Sequence, residues 1–517
     1  MNIYVTTVKD SYSEFVQITK ECFELPDEIA EKLTKKKIKP HLDQLKEDIY
    51  LVIETDYVDR VFRDSFYSYY SSKLNDYKRN CIKVSLFNCK VDYSSFRNSE
   101  KVEKLKKQYL GFFIIRPTEP QIIGRSVISP AALKINNFLT CVANIPSTAN
   151  SIKFDSVGFP HSSQDTETIT CAETTIWAIM EYFGNKYPDY KHVLPSKIIT
   201  TLRNVSNERQ LPSHGLQVHQ MSYALKEFGF GTKIYSREEY GIEFERLLSC
   251  YIESGIPLIV ALDNDKYRKS PGADTLVKYV GHALLCTGHV HIENYMIDSL
   301  LKIHSSYSNI NNLANNKNIQ LFDLDDIQKQ FVFIDDNCPI YQKCLLNTPA
   351  THYNDISWNI CEISYFIVPL YQKVYLEAFH AKNFVLGFLI DSPFSLDNNL
   401  NITIRTFLTS SRSYKQYVAT NELLNEEAKD EILEQKMPKF IWVTELSTKE
   451  LLKTDKVNGL VILDATEPNQ FNFKTLLLAF HSNFLVKYTK KERSLEKSPL
   501  PLQPFSKFDS NLKHITI

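Results

Sequence analysis

Glycine is scarce and unevenly placed in this chain, and its distribution limits the possible folds more than any other feature. Of 517 residues only 14 are glycine, and ten of these (Gly158, Gly184, Gly215, Gly229, Gly231, Gly241, Gly255, Gly272, Gly281 and Gly288) fall between 158 and 288. Glycine supplies positive φ and close backbone approach. Tight turns and closely packed strands are therefore expected in one central segment, with flanks built from ordinary L-residue geometry. A chain of this length predicts about three domains, each able to bury a core. With glycine as boundary marker they run over 1–150, 151–370 and 371–517.

The pattern of apolar residues predicts an α+β fold throughout. In the first region the strand-like runs "YLVIET", "CIKVSLF", "YLGFFIIRP" and "GRSVIS" alternate with the charged helical stretches "EIAEKLTKKKIKPHLDQLKEDI" and "SEKVEKLKKQ". Residues 146–170, with Pro146, Pro160 and "HSSQDTET", read as a linker followed by a loop. The central region continues through "QVHQMSYALKEFG" (helix), "FERLLSCYIESGIPLIVAL" (helix, turn, strand), "GHALLCTGH" (strand), the polar stretch 304–318 (loop or insertion), "FVFIDDN" and "ISYFIVPL" (strands). From 371 onward "YQKVYLEAFHAKNFVLGFLI" reads as a helix, and "ITIRTFL", "KFIWVTEL" and "GLVILDA" as strands of a C-terminal α/β region.

Bulk properties exclude several function classes. With 60 basic against 61 acidic residues and a formal net charge of -1, no whole-chain field draws in nucleic acid or an anionic membrane. The start "MNIYVTTVKDSYSEF" lacks a basic stretch followed by an apolar core, and apolar runs such as "FVLGFLI" are far short of the ~20 residues that span a bilayer. A soluble cytoplasmic protein is expected. The ten cysteines are scattered singly, without a Cys-x-x-Cys pair, so neither a disulfide framework nor a structural zinc site is expected. There is no Gly-x-Ser-x-Gly elbow, phosphate loop or His-Glu-x-x-His. "DNDKYRKSPGAD" lacks the central glycine and final glutamate of a calcium loop. Cys286, His289 and His291 lie close together, but on a strand Cys286 and His289 point to opposite faces. Arg116 and Arg125 read as salt-bridge partners. No cofactor or metal is expected.

One stretch carries chemistry. In "ITCAETTIWAIMEYFG" (169–184) the spacing of Ile176, Trp177, Met180 and Phe183 predicts an amphipathic helix. Thr170 can cap it, Glu173 suits its positive end, and Gly184 is expected to stop it. Cys171 then sits at the helix mouth, an environment that populates the thiolate. Such a nucleophile needs a base and a group that orients the base. His282 opens the apolar strand "HALLCTG" after a glycine, and Asp335 and Asp336 end the strand "FVFI". Gln164, seven residues before the cysteine, can give its amide to a developing oxyanion alongside the Cys171 N–H.

At these residues the chain resembles papain-like cysteine peptidases, and more narrowly the branch of bacteriocin-processing peptidases and their long-insert bacterial relatives. The resemblance spans roughly 155–370. It rests on the glutamine, the cysteine helix ending in Tyr-Phe-Gly, "ESGIPLIV", "GHALLCTG" and "FVFIDDNCPIY", with "YLGFFIIRPTEPQIIGRSVISP" and "YFIVPLYQKVYLEA" resembling flanking segments. It implies a helical subdomain packed on an antiparallel sheet, with Cys171 as nucleophile, His282 as general base then acid, Asp335 as orienter and Gln164 as oxyanion donor. The chain departs from the family pattern in the glutamine spacing, seven rather than six, and in Ala172 where glycine is usual. Asp336 and Asp298 remain rivals of Asp335, Asp298 because it lies 16 positions after His282.

The expected activity is hydrolysis of a peptide or isopeptide bond in a peptide or protein substrate. The same residues serve a glutamine deamidase or transglutaminase, and a catalytically silent papain-like binding module is the reading from another class. The flanking regions, candidates for contact with a protein partner, have no assigned chemistry, and the insertion between His282 and Asp335 is a candidate lid.

Overall fold

"YLGFFII" is apolar at almost every position and "CIKVSLF" at all but Lys83 and Ser85, the mark of strands covered on both faces. In the computed structural model Cys81–Phe87 and Tyr109–Ile115 are buried along their whole length. The structure describes residues 2–516 except 120, 207–208, 214, 273, 275, 304–318, 392–400, 469–471, 482 and 490–492. Helix and strand are mixed throughout, and three seven-stranded sheets organise the described residues. None of their helices is long and apolar enough to cross a membrane.

The first sheet is antiparallel, in the order Ile3–Thr7, Tyr50–Tyr57, Cys81–Phe87, Tyr109–Ile115, Ile123–Ile128, Ile152–His161, Ala143–Ala149. The reading of 146–170 as linker is corrected here. Ala143–Ala149 and Ile152–His161 form a hairpin in which alternate residues are buried, and only the stretch after His161 is a loop. Pro146 and Pro160 misled because proline, excluded from central ladder positions, is tolerated where its missing N–H is not needed.

The second sheet positions the site. Its antiparallel order is Gln342–Cys344, Phe331–Ile334, Gly281–Val290, Leu258–Asp263, Glu362–Tyr371, Phe230–Ser236. Phe138–Thr140, although it precedes the first sheet's last hairpin, pairs with Gly281–Val290. Gly288 permits that docking, since a Cβ there would lie 1.9 Å from the Leu139 carbonyl oxygen.

The third sheet runs Gln320–Asp323, Asn401–Ser410, Phe440–Ser447, Gly459–Asp464, Leu476–His481, Phe484–Thr489, Ser494–Pro499. Its first pair is parallel, so the insertion of the central region supplies an edge strand to the C-terminal sheet. The helix expected over 371–390 begins only at Ala378. A continuous apolar core joins the first sheet, the cysteine helix and the second sheet, and a second cluster fills the C-terminal region.

Candidate active site

The helix Cys171–Lys186 begins on Thr170. The Glu173 carboxylate accepts the Thr170 backbone N–H at 3.1 Å and the Thr170 hydroxyl, and it also accepts the Ser213 hydroxyl. This reciprocal closure fixes the first turn. Cys171 is its first residue, half-buried, while Ala172 to Phe183 are buried without interruption. Gly184 does not stop the helix, which runs on to Lys186. A Cβ at 184 would come 3.1 Å from the His192 backbone nitrogen, so this glycine serves close packing.

His282 is the second residue of Gly281–Val290. Phe331–Ile334 runs antiparallel beside it with Ile334 opposite Leu285, so the chain leaving Ile334 travels toward the histidine. That register closes a separation of 53 residues to 3.0 Å between His282 Nε2 and Asp335 Oδ1. With Nε2 engaged, Nδ1 is the ring nitrogen left for the cysteine. The Cys171 sulfur accepts the backbone N–H of Ala283, the residue after His282, at 3.4 Å, which brings it near enough to the imidazole to favour its charged form. Burial works against a charge on His282, but Asp335 first and Cys171 second outweigh it and hold its pKa well above the usual histidine value.

Asp335 is fully buried and held from several directions. Asn337 N–H donates to Oδ1 at 3.0 Å, and His352 Nε2 (2.9 Å) and the Tyr353 hydroxyl (2.8 Å) donate to Oδ2. Burial alone would raise its pKa, yet His282 and His352 hold it far below the usual carboxylate range. The first sheet reaches this point too, with His161 Nε2 3.1 Å from the Asp335 carbonyl oxygen. The Trp358 ring meets the His282 ring edge-on at 5.3 Å, and Tyr353 stacks on Trp358 at 3.8 Å. His352, Tyr353, Trp358 and Asn337 escaped the sequence reading. The one signal for the first three is "THYNDISW", three ring-bearing polar side chains within seven positions of a turn-rich segment, while Asn337 stands in "FVFIDDNCPIY" right after the two aspartates.

The remaining candidates separate clearly. Asp336 is buried, neither of its oxygens has a hydrogen-bond partner, and Oδ1 lies 3.7 Å from His282 Nε2. Burial, with Asp335 adding to it against the pull of His282, raises its pKa to about 7. Asp298 ends the short helix Asn294–Asp298 and pairs with Lys453 at 2.5 Å, which gives it a partner other than His282. Gln164 Nε2 donates to Asn337 Oδ1 at 2.7 Å. A primary amide carries two N–H groups, so this bond tethers Gln164 to the Asp335 loop and uses one of them.

His289 Nε2 lies 2.9 Å from Glu253 and His291 Nε2 lies 3.2 Å from His514, so these two histidines have separate partners. Arg125 pairs with Glu181 at 2.7 Å, whereas Arg116 donates to the carbonyls of Ser163 and Gln121. Two groups among the described residues bring ligand atoms within 4.8 Å of one another, His282–Asp335–Asp336 and Asp335–Cys338–His352. Of the candidate lid between His282 and Asp335, residues 304–318 lie outside the described residues, while Gln320–Asp323 is the edge strand of the third sheet.

Chemically, the arrangement is a sulfur at a helix start, an imidazole near it, and an anionic carboxylate behind the imidazole. The first N–H groups of a helix have no acceptor within it, and here they belong to the turn that Cys171 opens. Neither the models of known protein families nor the curated proteins contain a match to the chain.

Proposed function

We propose that this protein is a cysteine hydrolase that cleaves a peptide or isopeptide bond, with its second sheet and cysteine helix forming a papain-like unit. The observation that carries the reading is the convergence at His282 of two groups distant in the chain, the Cys171 sulfur, which accepts the N–H of the adjoining Ala283 at 3.4 Å, and the Asp335 carboxylate at 3.0 Å. His282 takes the thiol proton, and the sulfur attacks the substrate carbonyl. The Cys171 N–H and the Gln164 amide receive the oxyanion. Collapse expels the amine, which leaves with the proton held on His282, and a thioester remains on Cys171. Water, deprotonated by His282, then attacks the thioester and releases the acid and the free thiol. Asp335 keeps the imidazole oriented and supports its charge, and the Trp358 ring shields the pair.

A native lysate treated with the wild-type protein and with Cys171→Ala tests this. New peptide N-termini, or lysine ε-amines freed from isopeptide bonds, are expected with the wild type only, because removing the nucleophile lowers the rate roughly a millionfold. Iodoacetamide at pH 6 is expected to label Cys171 ahead of the other nine cysteines. New termini persisting with Cys171→Ala, or a Cys171 no more reactive than the buried thiols, would end the assignment. Release of ammonia without new termini would move the chemistry to a side-chain amide.

A further inference from the structure

We propose that Asp335, Cys338 and His352 form a binding site for a divalent transition-metal ion of the zinc class, seated directly behind the Asp335–His282 pair. An imidazole nitrogen, a thiol sulfur and a carboxylate oxygen are a donor set that suits zinc, and here the three ligand atoms lie within 4.8 Å of one another. His352 Nε2 and Asp335 Oδ2 are 2.9 Å apart. Nitrogen and oxygen ligands roughly 2.0–2.2 Å from a tetrahedral zinc ion stand about 3.4 Å from each other. An ion replacing the proton between them therefore asks the two side chains to part by about half an ångström.

The chain supplies this geometry locally. Asp335 and Cys338 belong to one turn, closed by the Cys338 N–H on the Asp335 carbonyl at 3.3 Å. His352 arrives from the turn-rich segment after Gln342–Cys344. Its other nitrogen, Nδ1, lies 3.3 Å from Cys344 Sγ, which also accepts the Thr351 hydroxyl. Such an outer partner fixes which nitrogen faces the ion. Next in the chain stands Asp336, a buried carboxyl with both oxygens lacking a hydrogen-bond partner. The overlapping group His282–Asp335–Asp336 is less suited to capture an ion, because all three members are buried. Cys338 and His352 are half-buried and give the ion a route from solvent.

The ion would draw on Oδ2 of the same carboxylate that faces His282 with Oδ1, weakening its support of the imidazole and slowing the cysteine. This regulatory half rests on the hydrolase reading; the binding half does not. Cobalt(II) titrated into reduced full-length Cys171→Ala protein reads binding without catalysis, through the near-ultraviolet thiolate-to-cobalt charge-transfer band. One equivalent with that band is expected. Cys338→Ser in the same background should abolish the band and weaken zinc binding roughly tenfold or more. His352→Gln, which keeps an N–H for Asp335, should weaken it similarly. No band, or a band that survives Cys338→Ser, would overturn the site. In the wild type, zinc is expected to slow hydrolysis reversibly with EDTA, and Cys338→Ser to resist it relative to its own uninhibited rate. Binding without any hydrolysis in the wild type would leave the metal site standing and remove the hydrolase. Hydrolysis without binding would remove only the metal site.

Discussion

Two histidines of the same strand, seven positions apart, each sit about one hydrogen-bond length from a buried carboxylate, yet their electrostatics are opposite. His282 is 3.0 Å from Asp335 and His289 is 2.9 Å from Glu253. His282 is held well above the usual histidine pKa, while His289 is pushed below it. Burial disfavours charge on both. The difference lies in what else surrounds each carboxylate. Glu253 also meets Arg405 at 3.1 Å and Lys329 at 3.6 Å, and the Lys329 charge repels a proton from His289. The His289 ring is also out of line for a hydrogen bond to Glu253, and its Nδ1 is spent on the Val290 carbonyl at 2.7 Å. Among the described residues Asp335 pairs with no lysine or arginine, its second cation being His352 at 2.9 Å, and the Cys171 sulfur lies near the imidazole. A histidine–carboxylate pair is thus not in itself a sign of catalysis. What sets the His282 pair apart is a carboxylate shared with another histidine rather than with lysine and arginine, and a sulfur near the ring.

Removing that carboxylate's charge is the most severe way to test the contrast. Asp335→Asn preserves shape but presents a neutral amide to His282, so the imidazole loses both its orientation and the support for its proton. The rate of Cys171 alkylation, and of hydrolysis once a substrate is in hand, is expected to fall by roughly 10²- to 10⁴-fold. The mirror experiment is Glu253→Gln. Arg405 retains Glu445 at 2.8 Å, but Lys329 loses its buried counter-charge. Stability should drop by about 3–5 kcal/mol, read as a shift in the denaturant midpoint, while alkylation of Cys171 in the folded variant stays within about twofold. A Glu253→Gln protein whose Cys171 slows as much as in Asp335→Asn would erase the distinction between the two pairs.

How far the two sites were legible in the sequence follows the same division. Cys171 and His282 announced themselves through local pattern, a helix with a thiol at its first position and a glycine-led apolar strand. Asp335 was visible as the residue that ends a strand, and the antiparallel register explains why such a residue arrives beside His282. Among regular elements, strands came through best, because runs such as "YLGFFII" are apolar along almost their whole length. The hairpin over 143–161 was missed because its prolines carry a turn signal that tertiary pairing overrode. Gly184 misled for a related reason: space for His192, not backbone conformation, determines it. The Glu253 network, and the grip of His352 and Tyr353 on Asp335, depend on contacts between segments that share no local pattern. Such contacts leave no trace in a single chain read linearly.

The finest test asks whether His282 faces one carboxylate or two. Asp336 keeps its proton in the folded chain up to about pH 7, whereas an unfolded aspartate releases it near pH 4. Between those values the native state binds one proton more than the unfolded state, so the contribution of Asp336 to stability falls as pH rises, and the loss is complete above about pH 7. Asp336→Asn has no such proton. The variant should therefore gain on the wild type from pH 4 to pH 8, by roughly 1.4 kcal/mol per pH unit of the window and a few kcal/mol in all. Denaturant midpoints of the two proteins at pH 4.5, 6 and 8 measure the gap. A gap that does not widen with pH means that Asp336 is ionised in the fold at neutral pH. His282 would then stand between two anions, and its contrast with His289 would come from an excess of negative charge rather than from one carboxylate free of lysine and arginine.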